Sequence, residues 1–143
     1  MVKFWGSPSC CLILLRSSLG VFYLCIPVMP FFSPDHLRDL IEGLFEHADP
    51  VEAPLYSFEA HPNNTTRAHL EVLHSLGFTR NSFGIQDYDP VVQKAINRIQ
   101  SFEDVRAVTE MSREVGYQSV SHDLVFGLPH QSESAMQRTI DLT

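Results

Sequence analysis

Three short apolar segments, at 55–60, 81–86 and 119–126, each close on polar groups and each lead into a stretch with helical spacing. After the first, Leu70, Leu73 and Leu76 fall on one face of a helix expected over 66–76, and Gly77 supplies its stop. After the second comes a helix over 90–97. A further helix opens at Ser101, Glu103 and Asp104, carries Phe102, Val105, Val108 and Met111 on its apolar side, and ends before Gly116. The third segment leads into a helix over 132–142. Ahead of all three, Ser33 is a good N-cap and Pro34 a good first residue for a helix over 34–48, with Leu37, Leu40, Ile41 and Leu44 at spacings of three and four. No hairpin signal lies between these elements. A chain that alternates strand and helix in this way forms parallel strands joined by crossovers, so the expected class is α/β.

The strand ends carry the chemistry. The first closes on Glu59 and His61, the second on Gln86 and Asp87, the third on His122 and Asp123. In parallel α/β folds the C-terminal strand ends gather the ligand-binding groups. Each group also has a structural explanation, since a carboxylate there can cap the next helix and Gln86 with Asp87 can close a turn. Three successive strands ending alike favour a site, because capping does not require the groups to converge. One further reading is a metal site, with Glu59 and His61 on one side of a strand and Asp123 as a third ligand. His69 and His74 are five apart, share no helical face, and are expected to be surface or packing residues. "PNNTT" is the loop leaving the first strand, with Thr65 or Thr66 capping the next helix.

Charge narrows the partners. The 143 residues carry a net charge of -7 with no cluster of lysine and arginine, which argues against a nucleic-acid backbone as partner. Cys10, Cys11 and Cys25 lie near the N-terminus, two of them adjacent, so a reducing compartment such as the cytoplasm is expected rather than a disulfide framework. They match neither a zinc-knuckle nor a cluster-binding spacing. Arg16, Ser17 and Ser18 split the apolar stretch from Cys10 to Phe32, leaving each part short of the about 20 residues that span a membrane. No small-x-small cleavage site comes after the run, so neither a membrane anchor nor export is expected.

The blocks "SFEAHPNN", "LHSLGFTRNSFGIQDYDPVVQKAINRIQ" and "SHDLVFGLP", in this order, resemble oxygen-independent coproporphyrinogen III oxidase, a radical S-adenosylmethionine enzyme of haem biosynthesis. The resemblance runs from Phe31 to about Thr143. "GIQDYDPVVQKAINRIQ" carries most of it, because Gln-Asp and Asn-Arg resemble the oxidase, where the related haem-chaperone branch tends to Gln-Ser and Gly-Arg. The resemblance implies an incomplete (β/α) barrel of the radical SAM type, parallel strands with outer helices, over 31–143. It implies S-adenosylmethionine and a [4Fe-4S] cluster as the family's cofactors, and a porphyrinogen and an electron donor as partners. Glu59, Gln86, Arg98 and Asp123 fall on family positions that contact S-adenosylmethionine. Carboxylates and an amide suit its ribose hydroxyls, and the Arg98 guanidinium suits its carboxylate. In the family the cluster donates an electron, the sulfonium bond breaks, and the adenosyl radical takes a hydrogen from a propionate, the protein supplying orientation.

Two departures qualify the resemblance. The family's Cys-x3-Cys-x2-Cys arrangement has no counterpart here, so no cluster is expected on this chain, and no catalytic residue is assigned. The family's glycine-rich "GGGTP" stretch is also missing. "PFFSPDHL" matches the family residues just C-terminal to that stretch, but 26–29 do not match the stretch itself, and "FWGSPS" echoes it faintly. Residues 1–30 are therefore expected to be an aberrant apolar segment outside the family, and the later barrel strands and C-terminal domain to be absent. The expectation is a fragment of the oxidase; the alternative is a haem- or porphyrin-binding relative without oxidase activity.

Overall fold

The computed structural model describes residues 13–16, 21–25, 32–47 and 54–143. Among these residues a five-stranded sheet has the order β1-β2-β3-β4-β5: Ile13–Arg16 (β1), Val21–Cys25 (β2), Leu55–Ala60 (β3), Phe78–Gln86 (β4) and Ser119–Leu124 (β5). β1 runs antiparallel to β2, and β2 through β5 are parallel. The helices are α1 (Pro34–Glu46), α2 (Arg67–Ser75), α3 (Pro90–Ala95), α4 (Phe102–Val115) and α5 (Glu133–Leu142). The sheet is open, with β1 and β5 at its edges, as an incomplete barrel requires. No described helix is long and apolar enough to cross a membrane.

The strand–helix alternation after residue 54 agrees with the sequence pattern. Thr66 caps α2 in a reciprocal box with His69, whose ring also hydrogen-bonds the Phe32 carbonyl at 2.9 Å. Ser101 and Asp104 form the equivalent box at α4. These caps satisfy backbone N–H groups that a helix start leaves unpaired, which fixes where each helix begins.

Two strands precede α1, where the sequence pattern assigns none. They lie in the two parts of the apolar stretch, β1 taking in Arg16, the first residue of the polar interruption. β2 pairs with β3 in register, Cys25 opposite Glu59.

The core lies between the sheet and one helical layer. Phe58 and Ala60 of β3 and Phe83 and Ile85 of β4 pack against Leu37 and Ile41 of α1, Leu70 and Leu73 of α2, and Val105 and Val108 of α4. Side chains alternate along a strand, so Ser57, Glu59, Ser82, Gly84, Ser121 and Asp123 belong to the opposite face. That face is polar.

Asn81 of β4 is a polar residue on the core side. Asn81 is buried, its Nδ2 donates to Ser112 Oγ at 3.0 Å, and its Oδ1 is buried without a partner. Ser112 also donates to the Val108 carbonyl at 2.9 Å and keeps that bond without Asn81. Asn81→Val is therefore expected to stabilise the fold by about 1–2 kcal/mol, the penalty of one orphaned polar atom removed. A urea midpoint raised at unchanged slope checks it; a lowered midpoint shows that the Asn81–Ser112 bond outweighs the orphan.

Candidate functional site

The parallel register brings the expected residues to one end of the polar face. Glu59 lies opposite Ser82, and Ser82 opposite Ser121; one step further along, Gly84 lies opposite Asp123. Adjacent strands are about 4.8 Å apart, so Asp123 starts one strand spacing from Gly84.

β4 ends in an irregularity. Its register to β5 shifts between Gly84 and Gln86, and Gln86 adopts φ 69, a left-handed conformation uncommon for a side chain of its size. The kink turns Gln86 back over its own strand. A Cβ on Gly84 would lie 2.8 Å from Gln86 Nε2 and 2.8 Å from Arg98 Nη2. Gly84 is thus a seat for two side chains.

Arg98 reaches this seat from a loop. The sequence pattern extends the third helix to residue 97, but α3 ends at Ala95, because Asn97 enters the left-handed region at φ 52. Asn97 N donates to the Lys94 carbonyl at 3.2 Å and Arg98 N to the Gln93 carbonyl at 2.9 Å, the paired bonds of a Schellman cap. Glycine and asparagine occupy this cap position at least cost. Asn-Arg against Gly-Arg therefore reports a backbone requirement both residues meet. Arg98 Nη2 then donates to the Gly84 carbonyl at 2.8 Å.

Two glutamines outside the expected site residues hold this loop. Gln100 Nε2 donates to the carbonyls of Gly84, at 3.4 Å, and Ile85. Gln93 Nε2 donates to the carbonyls of Asp87 at 2.9 Å and Gln100 at 2.8 Å, and Gln93 Oε1 accepts from Gln100 N at 3.2 Å. Both are buried. Their signal in the sequence is no more than a seven-residue spacing of two amides on either side of Arg98.

The charges at the rim act on one another. Burial lowers the Arg98 pKa and the Glu59 carboxylate pulls it back up, which places the two groups in electrostatic contact. Arg98 Nε is buried with no partner, an unused donor at the site. Burial and then the Arg98 charge lower the His61 pKa, so the ring is neutral near pH 7. Its Nδ1 accepts from Asn63 N at 3.2 Å, capping the 3-10 turn Pro62–Asn64.

The metal reading is not supported. Among the described residues no three His, Cys, Asp or Glu side chains are grouped to hold an ion. His122 belongs to the other face, its Nε2 3.0 Å from Thr109 Oγ1 of α4, and its pKa is lowered by burial and Arg113 against the opposing pull of Asp123.

Comparison with known proteins shows the family. The radical SAM superfamily model matches residues 30–143. The chain belongs to the radical SAM superfamily. Among curated relatives, oxygen-independent coproporphyrinogen III oxidase of Pseudomonas aeruginosa is 38% identical over 113 residues, covering 78% of this chain and 25% of the relative. The Helicobacter pylori protein of the same name is 38% identical over 112 residues, covering 78% and 24%. The structure described as coproporphyrinogen III oxidase from Escherichia coli, a radical SAM enzyme, superposes with a TM-score of 0.70 at 30% identity, over 77% of this chain and 25% of that one. A radical S-adenosylmethionine methyltransferase from Kitasatospora setae shares the fold with a TM-score of 0.57 at 18% identity, over 75% and 22%. The chain spans about a quarter of the length of the coproporphyrinogen oxidases it matches.

The radical SAM family implies two cofactors, and the residues present fit one of them. Glu59, Gln86, Arg98 and Asp123 offer acceptors and donors of the types an adenosylated amino acid needs, and the orphaned Arg98 Nε is a donor awaiting an acceptor. The cysteines do not fit a cluster: Cys10, Cys11 and Cys25 lack the spacing that presents three thiolates to one site. Anaerobic reconstitution of this chain with iron and sulfide is expected to give no stable [4Fe-4S] absorption band, and a stoichiometric cluster would contradict that.

Proposed function

We propose that this chain is the S-adenosylmethionine-binding part of an oxygen-independent coproporphyrinogen III oxidase, with residues 31–143 as one partial barrel domain. The observation that carries the reading is the meeting of Gln86 and Arg98 over Gly84, beside Glu59 and Asp123, at the C-terminal end of parallel strands. In this reading Arg98 grips the cofactor's carboxylate, using the Nε that is otherwise unpaired. Glu59 and Asp123 accept from its hydroxyl and ammonium groups, and Gln86 serves either as donor or acceptor. Arg98 is anchored on the Gly84 carbonyl, so its charge is held in place before the ligand arrives, which lowers the ordering cost of binding.

S-adenosylmethionine, when bound, supplies the fragment that removes hydrogen in radical SAM chemistry. The substrate in this reading is a porphyrinogen, the reductant an electron donor, and the setting the cytoplasm. The named relatives at 38% identity are oxidases, which favours oxidase ancestry over a haem-binding relative. Calorimetric titration of S-adenosylmethionine tests the site: saturable binding is expected, weakened about tenfold or more by Glu59→Gln or Asp123→Asn. Equal affinity in wild type and both variants would overturn the assignment.

A further inference from the structure

Asp87 is a buried carboxylate immediately after Gln86, outside the proposed contact set. Its Oδ1 accepts from Asp89 N at 2.8 Å and from Thr139 Oγ1 of α5 at 2.7 Å. Its Oδ2 accepts from Gln131 Nε2 at 2.7 Å. Gln131 in turn fastens the loop that leaves β5: its Nε2 donates to the Val125 carbonyl at 2.9 Å, and its Oε1 accepts from Gly127 N at 2.7 Å and Leu128 N at 3.4 Å. Val125 N closes the circuit by donating to the Gln86 carbonyl at 3.1 Å. The two strand ends that carry Gln86 and Asp123 are thus tied together by one carboxylate and one amide.

Gln86 needs such a tie. Its left-handed backbone persists only where neighbours over-determine it, and it is this conformation that turns the side chain over Gly84. We propose that Asp87 and Gln131 form a strap across the β4 and β5 rims that positions Gln86 for its ligand, making both of them positioning residues. The inference rests on the reading of Gln86 as a contact to S-adenosylmethionine. The donor and acceptor pattern is directional: Asp87→Asn sets an NH2 group against the Gln131 NH2, and Gln131→Glu sets a carboxylate against Asp87. The double variant restores a donor facing an acceptor and gives up only the bond to the Val125 carbonyl.

The test titrates S-adenosylhomocysteine, a stable analogue with the same adenosine and amino-acid tail, into the full chain and into Asp87→Asn, Gln131→Glu, Gln131→Ala and the Asp87→Asn/Gln131→Glu pair. Melting curves and the side-chain amide resonances of Gln86 are recorded alongside. Each single variant is expected to weaken binding about tenfold while keeping a cooperative melt, and the pair to recover most of the loss. The Gln86 amide resonances should move in the single variants and return in the pair. A folded Gln131→Ala that binds as wild type, or a pair no better than its singles, overturns the strap. Gln86→Ala separates the two claims: if it abolishes binding while the strap variants bind normally, only the strap falls, and if it binds as wild type the contact reading falls and takes the strap with it.

Discussion

Asp87→Ala is expected to cost the fold about 3–5 kcal/mol, because it removes the acceptor for two side-chain donors and a backbone N–H in a buried setting. Domains are stable by about 5–15 kcal/mol, so the loss takes a large part of the total. Gln131 keeps its bonds to the Val125 carbonyl and from Gly127 N and Leu128 N, and Thr139 keeps the one from Tyr88 N, which keeps the cost from rising further. Asp87 also sets an acid limb. Burial pushes its pKa up, but bonds from Gln131, Asp89 N, Thr139 and Tyr88 N outweigh it and hold the group below its usual 3.8. A depressed carboxylate pKa stabilises the native state above the unfolded value and loses that contribution as pH falls through the folded one. The gap between wild type and Asp87→Asn in urea unfolding should therefore be full at neutral pH and close below about pH 4. A gap unchanged from neutral to acid pH would contradict the assignment.

The opposite profile is expected for Gly84→Ala. The added methyl meets Gln86 Nε2 and Arg98 Nη2 at 2.8 Å, tighter than a real contact permits, and both are the far ends of flexible side chains. They swing away at little cost to the fold, and the stability change should stay within about 1 kcal/mol. The site loses both groups at once. Affinity for S-adenosylmethionine should fall by well over about tenfold, more than 1.4 kcal/mol, since a displaced guanidinium and a displaced amide each forfeit a directed bond. Calorimetry beside a urea melt reads the two quantities independently. A stable Gly84→Ala that binds normally would show that the groups over Gly84 are not the ligand contacts.

Most elements after residue 54 are legible in the sequence because each carries its own local signal. β3 has the expected limits, and α2 and α4 begin at the expected caps. Where boundaries move, a backbone feature decides. β4 starts at Phe78 rather than 81, since Gly77 ends the helix turn and Phe78, Arg80 and Asn81 hold parallel pairs across a register shift at Thr79. α3 stops early at the left-handed Asn97. β1 and β2 escape detection because an apolar run without period resembles a damaged membrane or leader segment as much as two strands. The rim residues Glu59, Gln86 and Asp123 are legible from strand polarity alone. Arg98 comes from the family resemblance, because no periodicity reveals a loop residue folding back over a strand. The seat itself is hidden: that Gly84 must lack a side chain, and that Gln93, Gln100 and Gln131 hold the surrounding loops, depends on contacts between residues far apart in sequence.

The claim that Arg98 waits for a carboxylate is testable at a single atom. Its Nε is buried without a partner while Nη2 is already engaged by Gly84, so a carboxylate docking on the guanidinium has Nε to pair with. Nitrogen-15 spectra of the Arg98 Nε–H group, recorded while S-adenosylmethionine is added, report that event directly. A saturable downfield shift and slowed solvent exchange at Arg98 are expected, absent in Gly84→Ala. An Arg98 Nε–H signal that stays fixed while the ligand saturates the protein would contradict it.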